Sequence, residues 1–387
     1  MKHNRVLVFS TDDHLYPAGG AEQAFGNITE RLPHVTFDLI CARLRPHTPR
    51  KEVVRNVHIH RLGVGFPIFD KIVLALFGHW YAQRCMRRYS YDLVWSIMAS
   101  YGAFSASRIK KKNGIPFLLT LQEGDTFEHI YRRVRYVRKA FNAIFECADG
   151  VQAISRYLLR WGKEMGFVGS VGKVIPNGVD IDRFMYPYRD VEIIKKRVSF
   201  GFPQDAFVCI TSSRLEIKNG IADVIDALKL LPVNVCFVIC GSGSLESKIR
   251  EKVMRHHLER RVFFAGFVKP EDLPLFLNAS DVFIRPSLSE GLGNAFLEAM
   301  AAEIITLGTD VGGIPDFLKD GETGFIVGVK NPQSIAEVVE RVMGLDDATR
   351  SDIRKRAKNM VRDRYNWDDI AHDMELLFNE VTRVCTP

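Results

Sequence analysis

The sequence predicts an α/β protein of two Rossmann-like, doubly wound parallel-sheet domains facing a central cleft. Three observations carry this expectation. Short runs of β-branched or aromatic residues recur with gaps long enough for helices, which is the pattern of repeated βα units. The runs fall into two series. The length of 387 residues, 47% of them hydrophobic, suits two domains better than one.

The first series comprises residues 6–10, 37–41, 93–97, 117–121 and 151–154, and predicts a domain over 1–185. The second comprises 207–212, 235–240, 262–264, 282–284 and 304–307, and predicts a domain over 190–364. Residues 182–190, with Pro187 and two tyrosines, read as the linker. Ligands of open parallel sheets sit at the carboxyl ends of the strands, so motifs that follow a strand have first claim on function.

Composition narrows the setting. The seven cysteines are odd in number and contain no C-x-x-C pair, which leaves neither a disulfide framework nor a zinc site and points to a reducing cytoplasm. Cys236 and Cys240 lie in the apolar run VCFVIC and read as buried strand thiols. No secretory signal is expected, since residues 6–10 are short and Asp12 and Asp13 follow closely. Residues 66–80 are apolar but include Asp70 and Lys71 and are too few to span a membrane.

The net charge of +7 is unevenly held: residues 1–180 contain 26 Lys and Arg against 15 Asp and Glu. The basic residues cluster at Arg84/Arg87/Arg88, at Arg108/Lys110/Lys111/Lys112 and at Arg132/Arg133/Arg135/Arg138/Lys139. The last cluster alternates with Tyr131, Val134, Tyr136, Val137 and Phe141, which suits a helix on an anionic membrane or one gripping a phosphorylated acceptor. A solvated helix face is the competing reading. Nucleic acid is not expected, because no binding motif accompanies the charge.

Three motifs carry chemistry. Glu290-Gly291-Leu292-Gly293-Asn294-Ala-Phe-Leu-Glu298 follows a strand and runs into a helical pattern. Its glycines let backbone N–H groups approach an anion at a helix start, and Glu298 can accept hydrogen bonds from the vicinal hydroxyls of a ribose. Arg214 and Lys218 follow the strand at 207–212, where two cations can neutralise a departing diphosphate. Gly19 and Gly20 follow the first strand and permit close backbone approach to phosphate.

Together with Ser213-Arg214-Leu215, Lys218-Asn219-Gly220, Ile175-Pro176-Asn177-Gly178-Val179-Asp180, Val311-Gly312-Gly313-Ile314-Pro315 and Asp320-Gly321-Glu322-Thr323-Gly324-Phe325, these motifs resemble the signatures of the retaining glycosyltransferase family 4 over nearly the whole chain. The resemblance implies a GT-B architecture and transfer of a sugar with retention. It places Arg214 and Lys218 on the donor diphosphate, Glu298 on the ribose, Glu290 on a sugar hydroxyl and the backbone near Phe267 and Val268 on the base. It brings Gly19 and Gly20 to the diphosphate from the first domain and makes 365–387 a crossover helix that returns to that domain.

Two positions depart from the family pattern. Gln122, followed by Glu123-Gly124-Asp125, stands where relatives often carry a histidine. An amide can hydrogen-bond the donor sugar but cannot exchange protons. Glu123 and Asp125 are then secondary candidates on the acceptor side, as are residues 66–81 and 132–141. Glu303-Ile304-Ile305 replaces a turn that more often contains Gly-Pro, a matter of loop geometry. Asp180-Ile-Asp182 matches the Asp-x-Asp string of metal-dependent transferases, but in this frame it belongs to the turn into the second domain.

The function expected is therefore metal-independent transfer of a sugar from a UDP- or GDP-sugar to a hydroxyl of a lipid-linked or anionic glycan acceptor in cell-envelope synthesis. No cofactor is expected, and the site of action is the cytoplasm or the inner face of its membrane. A nucleotide-sugar epimerase of the same fold and an inactive nucleotide-sugar-binding subunit are the rivals.

Overall fold

The computed structural model describes residues 5–13, 15 and 19–384, which form two compact α/β units, Met1–Gly178 with Trp367–Pro387 and Val179–Asn366. The first unit holds strands β1 (Arg5–Phe9), β2 (Thr36–Ala42), β3 (Lys51–Val54), β4 (Val57–Leu62), β5 (Leu93–Ile97), β6 (Phe117–Leu121), β7 (Gly150–Ala153) and β8 (Val171–Val174). They lie in the order β3-β4-β2-β1-β5-β6-β7-β8, parallel throughout except for β3 against β4. Between them run α1 (Gly20–Arg31), α2 (Pro67–Met86), α3 (Tyr101–Asn113), α4 (Phe127–Val134), α5 (Arg138–Glu146) and α6 (Arg156–Glu164).

The second unit has α7 (Ile181–Phe184) and α8 (Asp190–Val198) before β9 (Phe207–Ser212) and α9 (Ile221–Leu228), then β10 (Val235–Cys240), α10 (Glu246–Arg255), β11 (Val262–Gly266) and α11 (Leu273–Asn278). It continues with β12 (Val282–Arg285), α12 (Asn294–Ala301), β13 (Ile305–Gly308), β14 (Phe325–Ile326), α13 (Pro332–Met343) and α14 (Asp347–Arg364). The parallel strands are ordered β11-β10-β9-β12-β13-β14. Strands buried on both faces need continuous apolar sequence. VCFVIC of β10 satisfies this with every residue buried, including Cys236 and Cys240.

The last helix, α15 (Trp367–Val384), packs on the first unit. Trp367, Met374 and Phe378 join that unit's core, with the Phe378 ring 5.2 Å from Trp95 and 6.5 Å from Phe37. Burying an aromatic or aliphatic side chain of this size contributes about 1.5–3 kcal/mol.

Three expectations need correction. The unit boundary falls at Gly178/Val179, not at 185, because Asp180 caps α7 through Arg183 N–H at 3.1 Å and Val179 bridges Asn366. The return to the first unit begins at Trp367 rather than 365. Residues 131–141 are not one helix, since α4 ends at Val134 and α5 starts at Arg138. Among the described residues, no helix is long and apolar enough to cross a membrane.

Candidate functional site

In the second unit the winding reverses between β9 and β12, the position where an open parallel sheet forms a ligand crevice. Three loops leave the strands there and are knitted together by backbone hydrogen bonds. The Lys218 carbonyl accepts from Leu288 N–H at 2.6 Å, and the Glu290 carbonyl from Gly313 N–H at 3.2 Å. The Thr309 hydroxyl donates to the Ser287 carbonyl at 2.6 Å. Within the first loop, the buried Asn219 amide donates to the Arg214 carbonyl at 2.6 Å and folds the Arg214–Lys218 turn. Gly220, at φ 68°, must be glycine, for a Cβ would stand 2.0 Å from the Pro286 carbonyl oxygen.

These loops bring Arg214, Lys218 and Glu290 to one end of the sheet. The Arg214 guanidinium is exposed and makes no hydrogen bond or ion pair among the described residues. Glu290 is paired with Arg285, Nη2 to Oε2 at 2.6 Å. Gly291, Leu292 and Gly293 then turn the chain into α12, whose cap Gly293 has φ 105° and whose first residue is Asn294. The positive end of that helix faces the loop.

Glu298 lies one turn further along α12, half-buried, and its carboxyl has no hydrogen-bond partner among the described residues. Burial pushes its carboxyl up to about 7, while Arg285 and Arg183 pull the other way. Arg285 thus bears on both carboxylates. Sequence reasoning missed it, although a cation closing the apolar run of β12 is a legible signal. Its guanidinium also lies 4.7 Å over the Phe296 ring, and its Nε is buried without a hydrogen-bond partner among the described residues.

Phe267 and Val268 follow β11 at the edge of the sheet, Phe267 being exposed. They reach the same end through a chain of close approaches. Gly241 donates to the Gly266 carbonyl at 2.6 Å, and a Cβ on Gly241 would meet the Ser213 carbonyl oxygen at 1.9 Å.

In the first unit the winding reverses between β1 and β5, and Thr11 and Ser100 hydroxyls join the two loops at 3.0 Å. Gly19 caps α1 and Gly20 opens it; Pro17 and Ala18 of the same motif lie outside the described residues. Beneath this loop Asp13 pairs with the buried Arg61 at 2.7 Å and Asp12 holds Arg45 at 3.0 and 3.1 Å, contacts that sequence reasoning did not foresee.

After β6, Gln122 accepts a hydrogen bond from Asn177 Nδ2 at 3.3 Å. Glu123 Oε1 accepts from Ala99 N–H at 2.7 Å, whereas its Oε2 is buried without a hydrogen-bond partner among the described residues. Burial pushes this carboxyl up to about 7 against the pull of backbone N–H groups. Glu123 and Asp125 line a cavity of about 220 Å³ walled by Tyr101, Phe104, Val134 and Phe141. Met98 on the same wall holds a left-handed φ of 67°, the kind of backbone strain found at ligand sites.

Residues 18–183 match the family model Glycosyltransferase Family 4, and residues 192–360 match Glycosyl transferases group 1. The chain is of the glycosyltransferase family 4 type. Its Family 4 domain and group 1 domain together make a GT-B fold. The fold matches that of Anabaena HepE, with a TM-score of 0.79 and 21% identity over 97% of this chain and 100% of that one.

Among curated relatives, an uncharacterised glycosyltransferase of Methanocaldococcus jannaschii, MJ1607, is 34% identical over 203 residues, 52% of each chain. The putative teichuronic acid biosynthesis glycosyltransferase TuaC of Bacillus subtilis is 28% identical over 252 residues, 65% of this chain and 61% of that one. The chain spans about half to three fifths of the length of these two relatives.

The group 1 domain therefore gathers Arg214, Lys218, Glu290, the 291–294 turn and Glu298 around one switch point. Gln122, Gly19 and Gly20 belong to the Family 4 domain, as does the Glu123 cavity.

Proposed function

We propose that the chain is a retaining glycosyltransferase that moves a sugar from a UDP- or GDP-sugar to a hydroxyl of a lipid-linked or anionic glycan acceptor. The single observation that carries the donor side is the convergence at the β9–β12 switch point of an unpaired cation, Arg214, with two carboxylates, Glu290 and Glu298. Arg214 and Lys218 neutralise the diphosphate as its bond to the sugar C1 breaks, a role that in other transferases falls to a metal ion. Glu298 accepts the ribose hydroxyls and Glu290 a hydroxyl of the sugar. The 291–294 turn and the start of α12 add backbone N–H groups, and the base lies against Phe267 and Val268.

As the new bond to C1 forms, the acceptor's proton passes to the departing phosphate, so Gln122 need only hold the sugar. In the Family 4 domain, Gly19 and Gly20 at the start of α1 permit close backbone approach to phosphate. The cavity at Glu123 receives the acceptor, whose hydroxyl supplies the donor hydrogen that Glu123 Oε2 lacks. HepE, whose structures contain UDP, glucose and UDP-glucose, supports a nucleotide-sugar donor by likeness of fold. The likeness to TuaC, a putative teichuronic acid biosynthesis glycosyltransferase, supports a glycan as product.

Incubation of the protein with UDP- and GDP-sugars, with and without polyprenyl-linked saccharides, tests the reading. Expected is a glycosylated acceptor of retained anomeric configuration with no added metal. A free epimeric sugar formed from donor alone would replace this reading with an epimerase.

A further inference from the structure

Helix α2 is predominantly apolar, most of all from Ile68 to Trp80, a composition that normally marks a largely buried helix. Its inner face meets that expectation, with Asp70, Leu74, Gly78 and Ala82 buried against the domain. The outer face does not. Ile68, Phe69, Ile72, Leu76, Phe77 and Trp80 are exposed, from 44% for Phe77 to 80% for Ile68, and Phe66 just before the helix is 70% exposed. At 1.5 Å per residue the stripe from Ile68 to Trp80 is about 18 Å long. Contiguous apolar surface of this extent is rare on proteins that meet only water.

Charge indicates what covers it. Arg84, Arg87 and Arg88 are exposed on and just beyond the last turn of α2. Exposed Arg108 and Lys112 of α3 lie alongside, Arg108 bonding the Ala75 carbonyl and Lys112 the Gln83 side chain at 3.3 Å. The sole acid of α2, Asp70, is turned inward and accepts from Val64 and Gly65 N–H at 2.9 and 2.7 Å. A second copy of the chain would meet these cations with no exposed acid on its own α2 or α3, whereas anionic lipid headgroups neutralise them while the acyl boundary takes the apolar stripe.

We infer that α2 is an in-plane membrane-docking helix that inserts its Ile68–Trp80 face into an anionic bilayer surface. The inference rests on the reading of the acceptor as lipid-linked and replaces the basic segment at 132–139 as the principal contact. Docking would deliver the Family 4 domain to acceptors that cannot leave the bilayer.

Trp80 makes the test direct. Of the four tryptophans, Trp95, Trp161 and Trp367 are 1%, 0% and 5% exposed, and Trp80 is 59% exposed. The full-length protein is mixed with vesicles of phosphatidylcholine alone or with an equal part of phosphatidylglycerol. Expected are flotation and a blue-shifted emission with the phosphatidylglycerol vesicles only, and quenching by lipids brominated near the headgroup.

Ile72→Asp/Leu76→Asp should reduce vesicle affinity at least tenfold with an unchanged melting midpoint, and Arg87→Glu/Arg88→Glu should remove the preference for phosphatidylglycerol. Arg132→Glu/Arg133→Glu/Arg135→Glu should reduce affinity by less than threefold. The inference is overturned by equal flotation of the Ile72→Asp/Leu76→Asp variant, by loss of binding only in the Arg132 series, or by a lipid-independent blue shift that follows dimer formation. Vesicle binding needs no sugar donor, so a failed transferase assay leaves this result standing, and the reverse also holds.

Discussion

Arg285 Nη2 lies 2.6 Å from Glu290 Oε2, beneath the turn that leads from β12 into α12. The two side chains are 8% and 18% exposed, so removing the cation strands a carboxylate in a poorly solvated place. Arg285→Met is expected to destabilise the protein by about 2–4 kcal/mol, seen as a lower denaturant midpoint at constant slope. It should also abolish stabilisation by nucleoside diphosphates, because Glu290 and Glu298 would both lose the charge of Arg285.

Two buried carboxyls give the ligand-free protein a characteristic pH dependence. Glu123 and Glu298 are both pushed up to about 7, from an ordinary value of 4.5 in the unfolded chain. Between those values the folded state binds protons that the unfolded state has released, so stability is greatest below about pH 4.5 for these groups and is lost as pH rises through 7. Thermal midpoints of Glu123→Gln and Glu298→Gln should therefore fall less than wild type between pH 5 and pH 8. Nucleotide affinity should run the other way, rising through pH 7 as Glu298 becomes a better acceptor for hydroxyls, and Glu298→Gln should lose that rise.

A pair of glycines separates backbone strain from collision. Gly312 and Gly114 are both left-handed, at φ 58° and 71°, but a Cβ on Gly312 would sit 1.8 Å from the Glu290 carbonyl oxygen, whereas nothing lies within 4 Å of one on Gly114. Gly114→Ala is expected to cost about 1 kcal/mol and leave ligand binding intact. Gly312→Ala should cost about 3 kcal/mol or more and eliminate nucleotide binding, since the Glu290 turn must move. Chemical denaturation and nucleotide titration of the two variants check both statements.

Gln122 stands half-buried beside Asn177, where an imidazole could make a similar hydrogen bond. Gln122→His is expected to keep nucleotide affinity and leave turnover nearly unchanged, measured as product formed per enzyme at saturating donor, because the two side chains offer similar hydrogen bonds. A large rise in turnover would contradict transfer of the acceptor's proton to the departing phosphate.

Much of this architecture is legible in the residues. Every run chosen as a strand is one, because strands covered on both faces must be continuously apolar, and the motifs of the group 1 domain follow those strands directly. The strands that escaped notice are short or partly exposed: Lys51–Val54 and Val57–Leu62 alternate in burial, Val171–Val174 is half open, and Phe325–Ile326 has two residues.

At the candidate site, the motif carboxylates and cations could be read from spacing, but the Arg285–Glu290 pair depends on how β12 and its loop fold back on each other. The apolar stripe of α2 was visible as composition, yet only packing decides which half of an apolar helix stays outside. The turn at Glu303 illustrates a local cost. Glu303 holds φ 61°, a left-handed conformation that favours glycine, and pairs with Lys358 at 2.7 Å.

Binding of a nucleoside diphosphate at the β9–β12 switch point is the claim on which the rest depends. Thermal unfolding of the wild type, Arg214→Ala and Glu298→Ala with UDP, GDP, ADP and their sugar conjugates tests it, since a ligand that binds only the folded state must raise the midpoint. The account predicts that UDP or GDP and its conjugates stabilise the wild type selectively, and that both variants lose the effect while keeping their own cooperative transitions. An equal shift in wild type and both variants, or none with any nucleotide, would contradict it.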